Sequence, residues 1–449
     1  MNAIRRKTVD ATQGVIWKQL MALFFPLWLG TMFQQLYNTV DSVVVGRFVG
    51  KTALAAVGCT GTVISLTVGI FTGIASGAVV IIAQQYGARQ GERVRPGVHT
   101  AMVLGVLMGI FFMVVGYFTA PWILRAIGTT ADTMAEAELY LKVYSLGMVP
   151  NVVYNMGTGV LRAVGDSRRP LYFLVAASIC NIVLDLVFVL EFHMGVLGVA
   201  VATILSQLLS AVLVVLSLLR AQGEMYQLHP ACLCMERQSL KGILRMGIPA
   251  ALQSVMYSLS NLVIQAAIND FGTDTVAAWT AYGKLDVVFW MTISSMGLAI
   301  TTFAGQNYGA GRVDRLKKGV RTSIWICAVV AVAMSTLLIL FARPITGIFT
   351  TDGAVVDICV DMVRFLTPTY ITYILIELLS GAIRGAGKVL APTLISLFGV
   401  CALRLLWLLV AVPLHSTVYM VELSYPITWT VTSAALAIYY WKGRWLEQR

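Results

Sequence analysis

Apolar residues in this chain neither alternate nor come in short bursts. They fill stretches such as Val98–Phe118, Leu171–Leu190 and Gly195–Leu219, each near the ~20 residues that an α-helix needs to cross a bilayer core. Read along its length, the pattern predicts twelve such helices, at 17–45, 53–84, 98–120, 137–162, 171–192, 195–219, 243–268, 276–306, 321–342, 358–383, 391–413 and 417–441. The expected class is an all-α, multi-pass membrane protein. A soluble enzyme, a secreted disulfide scaffold and a disordered chain are excluded.

Composition agrees. Of 449 residues, 58 % are hydrophobic and 12 % charged, where soluble chains carry about 25 % charged residues. Mean hydropathy is +0.81. The net charge of +11 could suggest a nucleic-acid partner, so its placement matters. With the N-terminus inside, the inner segments and inner helix ends hold 24 of the 32 Lys and Arg residues, among them Arg5, Arg6, Lys7, Arg168, Arg169, Arg315, Lys317, Arg444 and Arg449. That is the positive-inside distribution. It predicts cytoplasmic termini in a plasma membrane and no nucleic-acid partner. The stretch after Lys7 is too long for a signal-peptide core and contains Asp41, so it reads as a retained first helix. Seven cysteines, most of them within spans, give no complete zinc spacing.

The two halves repeat each other. At an offset of 222 residues, Gln84, Tyr86, Gly87, Ala88, Arg93, Gly97 and Thr100 recur as Gln306, Tyr308, Gly309, Ala310, Arg315, Gly319 and Thr322. Arg162, Gly165 and Pro170 recur as Arg384, Gly387 and Pro392, and His193 as His415. One register kept over more than a hundred residues marks a duplication. The expected organisation is an N-terminal six-helix lobe at 1–219, a cytoplasmic linker at 220–241 and a C-terminal lobe at 242–449. Six is even, so both lobes enter the membrane from the same side. They are parallel repeats about a pseudo-two-fold axis along the membrane normal, an arrangement suited to opening alternately to either side.

Polar residues inside apolar spans are expensive and mark function. In the first span Gln34, Tyr37, Asn38 and Asp41 share one helix face; in the fifth, Asn181 and Asp185 are one turn apart. Thr203 begins a polar face in the sixth. At ~1.5 Å per residue, Asp185 and Thr203 both lie ~10–12 Å below the outer surface, with Asp41 about four residues higher. Two carboxylates, an amide and a hydroxyl form an oxygen-rich pocket suited to a proton or to Na⁺. A lone intramembrane Asn or Thr more often joins helices. Two aspartates in spans whose single basic residue, Lys18, stands at the far inner end point instead to an ion site.

The second half carries different polar residues. Gln253, Tyr257, Asn261 and Gln265 recur every four residues, Lys284 and Asp286 lie in the eighth span, and Tyr370, Tyr373, Glu377, Ser380 and Arg384 share a face of the tenth. Glu377 either binds a cationic substrate or pairs with Arg384. Trp279, Phe289 and Trp290 could wall a cation site or simply pack. No H-E-x-x-H, G-x-S-x-G or Walker sequence is present. The chain therefore reads as neither an enzyme nor a cofactor protein, but as a transporter driven by an ion gradient.

These motifs resemble those of the multidrug and toxic compound extrusion (MATE) family, in particular its bacterial NorM, DinF and MepA type. The resemblance rests on Pro26 with Gln34–Val45, on Ala83–Ala88 and its echo Gly305–Gly311, on Leu161–Pro170 and its echo Ile383–Pro392, and on Asn181–Asp185. It implies twelve helices in two six-helix lobes and export of small cationic, amphipathic compounds in exchange for H⁺ or Na⁺. Asp41, Asn181, Asp185 and Thr203 match the family's first-lobe cation site. Glu377 falls near an acidic position of the tenth helix, and Lys284 with Asp286 resembles a basic–acidic pair of the eighth. Beyond substrate, the expected partner is membrane lipid, around a monomer. The alternatives are a flippase for lipid-linked oligosaccharide and a receptor or scaffold without transport.

Overall fold

The computed structural model describes residues 8–443 together with 445 and 446; Arg5, Arg6, Lys7, Arg444 and Arg449 lie outside the described residues. All regular structure among these residues is helical. In order come α1 Ile16–Val44, α2 Lys51–Gly87, α3 Gly91–Ala126, α4 Met134–Leu146, α5 Met148–Ala163, α6 Arg168–Leu186, α7 Gly195–Leu219, α8 Arg237–Asn269, α9 Thr273–Gly309, α10 Val313–Leu340, α11 Ala342–Thr346, α12 Gly353–Leu366, α13 Tyr370–Gly385, α14 Leu390–Ser396, α15 Leu403–Leu414 and α16 Val418–Lys442. Short π-helical turns at Val45–Val49, Val187–Glu191 and Leu397–Ala402 extend α1 and α6 and join α14 to α15.

Among the described residues, ten stretches are long and apolar enough to cross a membrane. Two of the expected spans are not among them. The stretch expected at 137–162 is two helices, broken at Gly147. Pro150 has no N–H to give the Leu146 carbonyl, so the helical ladder is interrupted there. The stretch expected at 417–441 is the single 25-residue α16, diluted by Glu422, Pro426 and several hydroxyl side chains.

The duplication is visible in the backbone. At the same offset of 222, Lys51–Gly87 becomes Thr273–Gly309, Gly91 becomes Val313, and Met148–Ala163 becomes Tyr370–Gly385. The break at Gly147 recurs in the 3₁₀ turn Thr367–Thr369. Gly165 and Gly387 take φ +86° and +85°, a left-handed conformation that costs glycine least. At Gly165 a side chain is also barred by space, since a Cβ would fall 2.2 Å from the Val9 carbonyl oxygen.

The chain forms two compact units, residues 1–10 with 22–251 and residues 11–21 with 252–449. Their limits differ from 219 and 242, and packing explains why. In the first unit α5 packs against α2, α3 and α7 over a core that includes Phe71, Met102, Met156 and Val199. The start of α8 also belongs there: a Cβ on Gly73 would lie 2.4 Å from the Ala251 nitrogen, and one on Gly247 would lie 2.6 Å from the Ile74 Cα. Such close approach requires glycine. In the second unit α13 packs on α9, α10 and α16, with Phe289, Phe303 and Tyr370 fully enclosed. The segment before α1 joins this unit. Arg315 donates to the carbonyls of Ala11, Gln13 and Gly14, Arg312 to that of Thr12, and the Asn307 amide to Ala11.

Candidate functional site

Three helices of the first unit converge on a set of polar side chains. Asp185 (0 % exposed), Asn181 (1 %) and Thr203 (2 %) are sealed in the protein, and Asp41 is partly buried. The carboxyl groups of Asp41 and Asp185 reach each other directly. Asp41 is therefore not four residues higher than Asp185. The chain does not leave its helix at residue 45 but continues through the π-turn to Val49, which places Asp41 about two turns below that end, like Asp185 below Glu191. π-turns of this kind frequently occur at functional sites.

What distinguishes the cluster is its surplus of acceptors. Oδ1 of Asp41, both carboxyl oxygens of Asp185, Oδ1 of Asn181 and Oε1 of Gln207 are buried with no hydrogen-bond partner among the described residues, as is the amide nitrogen of Asn181. Buried polar atoms are seldom left so. Thr203 donates its hydroxyl to the Val199 carbonyl at 2.9 Å, which leaves its oxygen lone pairs facing outward from that bond. Tyr140 reaches the Thr203 side chain. Tyr144 stacks on Tyr140 with ring centroids 6.1 Å apart and accepts from the amides of Gln207 and Asn151, each at 3.4 Å. Tyr37 lies close to Tyr140, Tyr144 and both aspartates. Among the described residues no cationic side chain pairs with either aspartate. The arrangement can take up a proton, or a hard cation ligated by oxygen.

The predicted residues divide clearly. Asp41, Asn181, Asp185, Thr203 and Tyr37 come together. Gln34 and Asn38, on the same helix, are exposed. Tyr140 and Tyr144 stand one turn apart in α4 and Asn151 follows the break at Gly147 in α5, so no single helical spacing joins the three.

In the second unit the polar residues make separate pairings. Gln253 donates to the Tyr257 hydroxyl at 3.2 Å and accepts from Thr393 at 3.4 Å, while Asn261 is exposed. Glu377 accepts from Arg384 at 3.3 Å, the second of its two expected roles. Lys284 is exposed, and Asp286 turns away from it to accept from Tyr370 and Trp290. Tyr373 belongs to an aromatic group with Trp290 and Trp429, centroids 4.6 and 5.4 Å away. Beside this group the buried guanidinium of Arg404 sits 4.2 Å over the Tyr425 ring and donates to Thr428 at 3.3 Å. At the repeat positions of Asp185, Thr203 and Gln207 stand Trp407, Tyr425 and Trp429. The oxygen-rich pocket of the first unit has an aromatic counterpart.

A profile of the MatE family matches this chain twice, over residues 26–187 and 249–409. The chain belongs to the MatE family. Its relatives include the probable multidrug resistance protein YoeA of Bacillus subtilis, 28 % identical over 400 residues that cover 88 % of this chain and 86 % of that one. The multidrug export protein MepA of Staphylococcus aureus (strain MRSA252) is 20 % identical over 88 % of this chain and 87 % of its own. Two solved structures share the fold at 24 % identity. One is a MOP superfamily transporter from Pyrococcus furiosus for which reversed pocket polarity suggests a different function (TM-score 0.90, 99 % of each chain). The other is an outward-facing multidrug resistance MATE transporter (TM-score 0.89, 97 % of this chain and 98 % of that one). As a MatE protein with ten apolar spans among the described residues, the chain is a multi-pass membrane protein whose relatives include probable multidrug resistance proteins.

Proposed function

We propose that this MatE protein is a secondary active exporter of small cationic, amphipathic compounds, exchanging them for H⁺ or Na⁺ by alternating access. In this reading the ten apolar spans, the broken pair α4–α5 and the helix α16 make twelve crossings in two six-helix bundles, with both termini in the cytoplasm, the linker at 220–241 and the plasma membrane as its home. The observation that carries the proposal is the Asp41–Asp185 contact, with buried acceptor oxygens around it that lack donors among the described residues. Two carboxylates in low dielectric repel strongly, so the pocket favours capture of a positive ion. An ion entering from outside neutralises the pair and reorders the first unit. Ion and substrate must favour different states, since equal affinity shifts no equilibrium. The same oxygen set of Asp41, Asn181, Asp185 and Thr203 suits Na⁺, and the carboxyls alone suit H⁺. No cofactor is needed for this chemistry, and a monomer suffices.

The second reading, a lipid-linked oligosaccharide flippase, would need arginines to receive a pyrophosphate. Acids in the pocket and bases at the inner helix ends favour cationic cargo. The test is dye efflux from proteoliposomes under an imposed proton or sodium gradient, comparing wild type with Asp41→Asn and Asp185→Asn. Coupled efflux should vanish in both variants. Wild-type rates in either would overturn the site, and dye movement in neither wild type nor variants would overturn the exporter reading.

A further inference from the structure

One recess in the second unit lies outside the pairings described above. Between the end of α10, α11 and α12 is a cavity of about 280 Å³, lined by Leu340, Arg343, Asp357, Asp361 and Arg364 together with smaller apolar side chains. Its volume is below the ~300–1,000 Å³ typical of drug-sized ligands, and its charged lining is unlike an apolar drug pocket. Arg343 and Asp357 pair with each other. Asp361 and Arg364 form no ion pair among the described residues, although both line the recess. Behind Asp361 stands Glu422 of α16, buried and close enough for the two carboxyls to feel each other. The recess thus carries two basic and two acidic side chains, with a third carboxyl behind Asp361.

Its depth follows from helix length. Residues Gly353–Gly385 form a 33-residue span, ~50 Å long, against a hydrocarbon core of ~30 Å. The excess belongs at the α12 end, because from Phe365 to Ile383, between Arg364 and Arg384, Glu377 is the single charged residue. Asp357, Asp361 and Arg364, at i, i+4 and i+7 on one face, therefore stand at headgroup level. An apolar track leads up to them: Val329, Val332, Leu337 and Leu340 of α10 are exposed, as are Phe341 and Phe349 beyond it.

We propose that this recess is a headgroup site for an aminophospholipid, with the phosphate on Arg364 and Arg343, the primary ammonium on Asp361, and the acyl chains along α10. The ammonium supplies three N–H donors to Asp361, which has no ion-pair partner among the described residues; a trimethylammonium supplies none. The apolar track distinguishes a lipid from a soluble zwitterion.

The test is native mass spectrometry with thermal-shift measurement on the full-length protein, titrated with phosphatidylethanolamine, phosphatidylcholine, phosphatidylglycerol and soluble phosphoethanolamine. Retention of phosphatidylethanolamine should exceed that of the other two lipids, and D361N or R364Q should each reduce it about tenfold, the equivalent of one hydrogen bond to a charged group. Both positions are exposed, so the variants should fold; Lys317→Gln, a basic residue at the opposite end of α10, should leave retention unchanged. Equal retention of the three lipids, unchanged retention in both recess variants, or phosphoethanolamine competing as well as the lipid would overturn the proposal.

Discussion

Asp41 of α1 and Asp185 of α6 stand carboxyl to carboxyl in the first unit, with no basic side chain of the described residues paired to either. Groups that interact this closely act as a unit, and their mutational effects do not add. In coupled dye efflux, Asp41→Asn and Asp185→Asn should each cost nearly the whole rate, and the double variant should be little worse than either. Tyr140→Phe removes only a hydroxyl that reaches Thr203. It should lower the rate about fivefold, corresponding to about 1 kcal/mol for one hydrogen bond. A Tyr140→Phe variant as inactive as Asp185→Asn would move that tyrosine into the ion pocket itself.

Glycines in this protein fall into two groups with opposite expected outcomes. At Gly73 the atoms that a Cβ would strike are backbone atoms of Ala251 and cannot swing aside. Gly73→Val should destabilise by about 3 kcal/mol, the upper range for overpacking, read as a lower melting temperature and lost monodisperse protein in detergent. At Gly58, in the same helix, nothing lies within 4 Å of where a Cβ would stand. Gly58→Ala should be neutral or stabilise by about 0.5–1 kcal/mol through helix propensity.

Arg404 is a buried arginine with a ring for its main partner. Replacing a buried ion by an apolar residue of similar size is often neutral or stabilising, whereas removing its partner leaves the charge stranded. Arg404→Met should therefore shift the melting temperature little. Tyr425→Leu should lower it by the equivalent of about 2 kcal/mol for a desolvated cation–π contact. The double variant should recover much of that loss. Equal losses from both single variants would show that the guanidinium has a stabilising partner besides the ring.

The linker is fastened to the first unit by two side-chain acceptors. The His229 N–H donates to Nε2 of His99 at 3.1 Å, and the Glu236 N–H to the Thr100 hydroxyl at 3.0 Å. His99→Phe with Thr100→Val should leave the spans intact but accelerate hydrogen exchange and proteolysis through residues 229–236. Protection there equal to wild type would show that packing alone holds the linker.

How much of this was legible beforehand varies residue by residue. Helices announced themselves because bilayer length and apolar runs leave few alternatives, and the repeat register survives to the residue in α2 and α9. Asn181 and Asp185 were legible from one turn of spacing. The height of Asp41 was not, because Gly46 and Arg47 look like the end of a span while the backbone keeps winding through a π-turn. Tyr140 and Tyr144 were overlooked because hydropathy treats a tyrosine as half apolar, and only its neighbours reveal whether its hydroxyl is used. Nor does an apolar run say which bundle its first turns will join.

That last point bears on how the molecule could be taken apart. The opening turns of α8 are seated glycine-to-backbone within the first unit, and residues 11–21 belong with the second. A protease cut in the linker would therefore not release two self-sufficient fragments; each would leave its own leading end behind in the other's keeping. Split versions of this protein should be expected to work only when both pieces are made together.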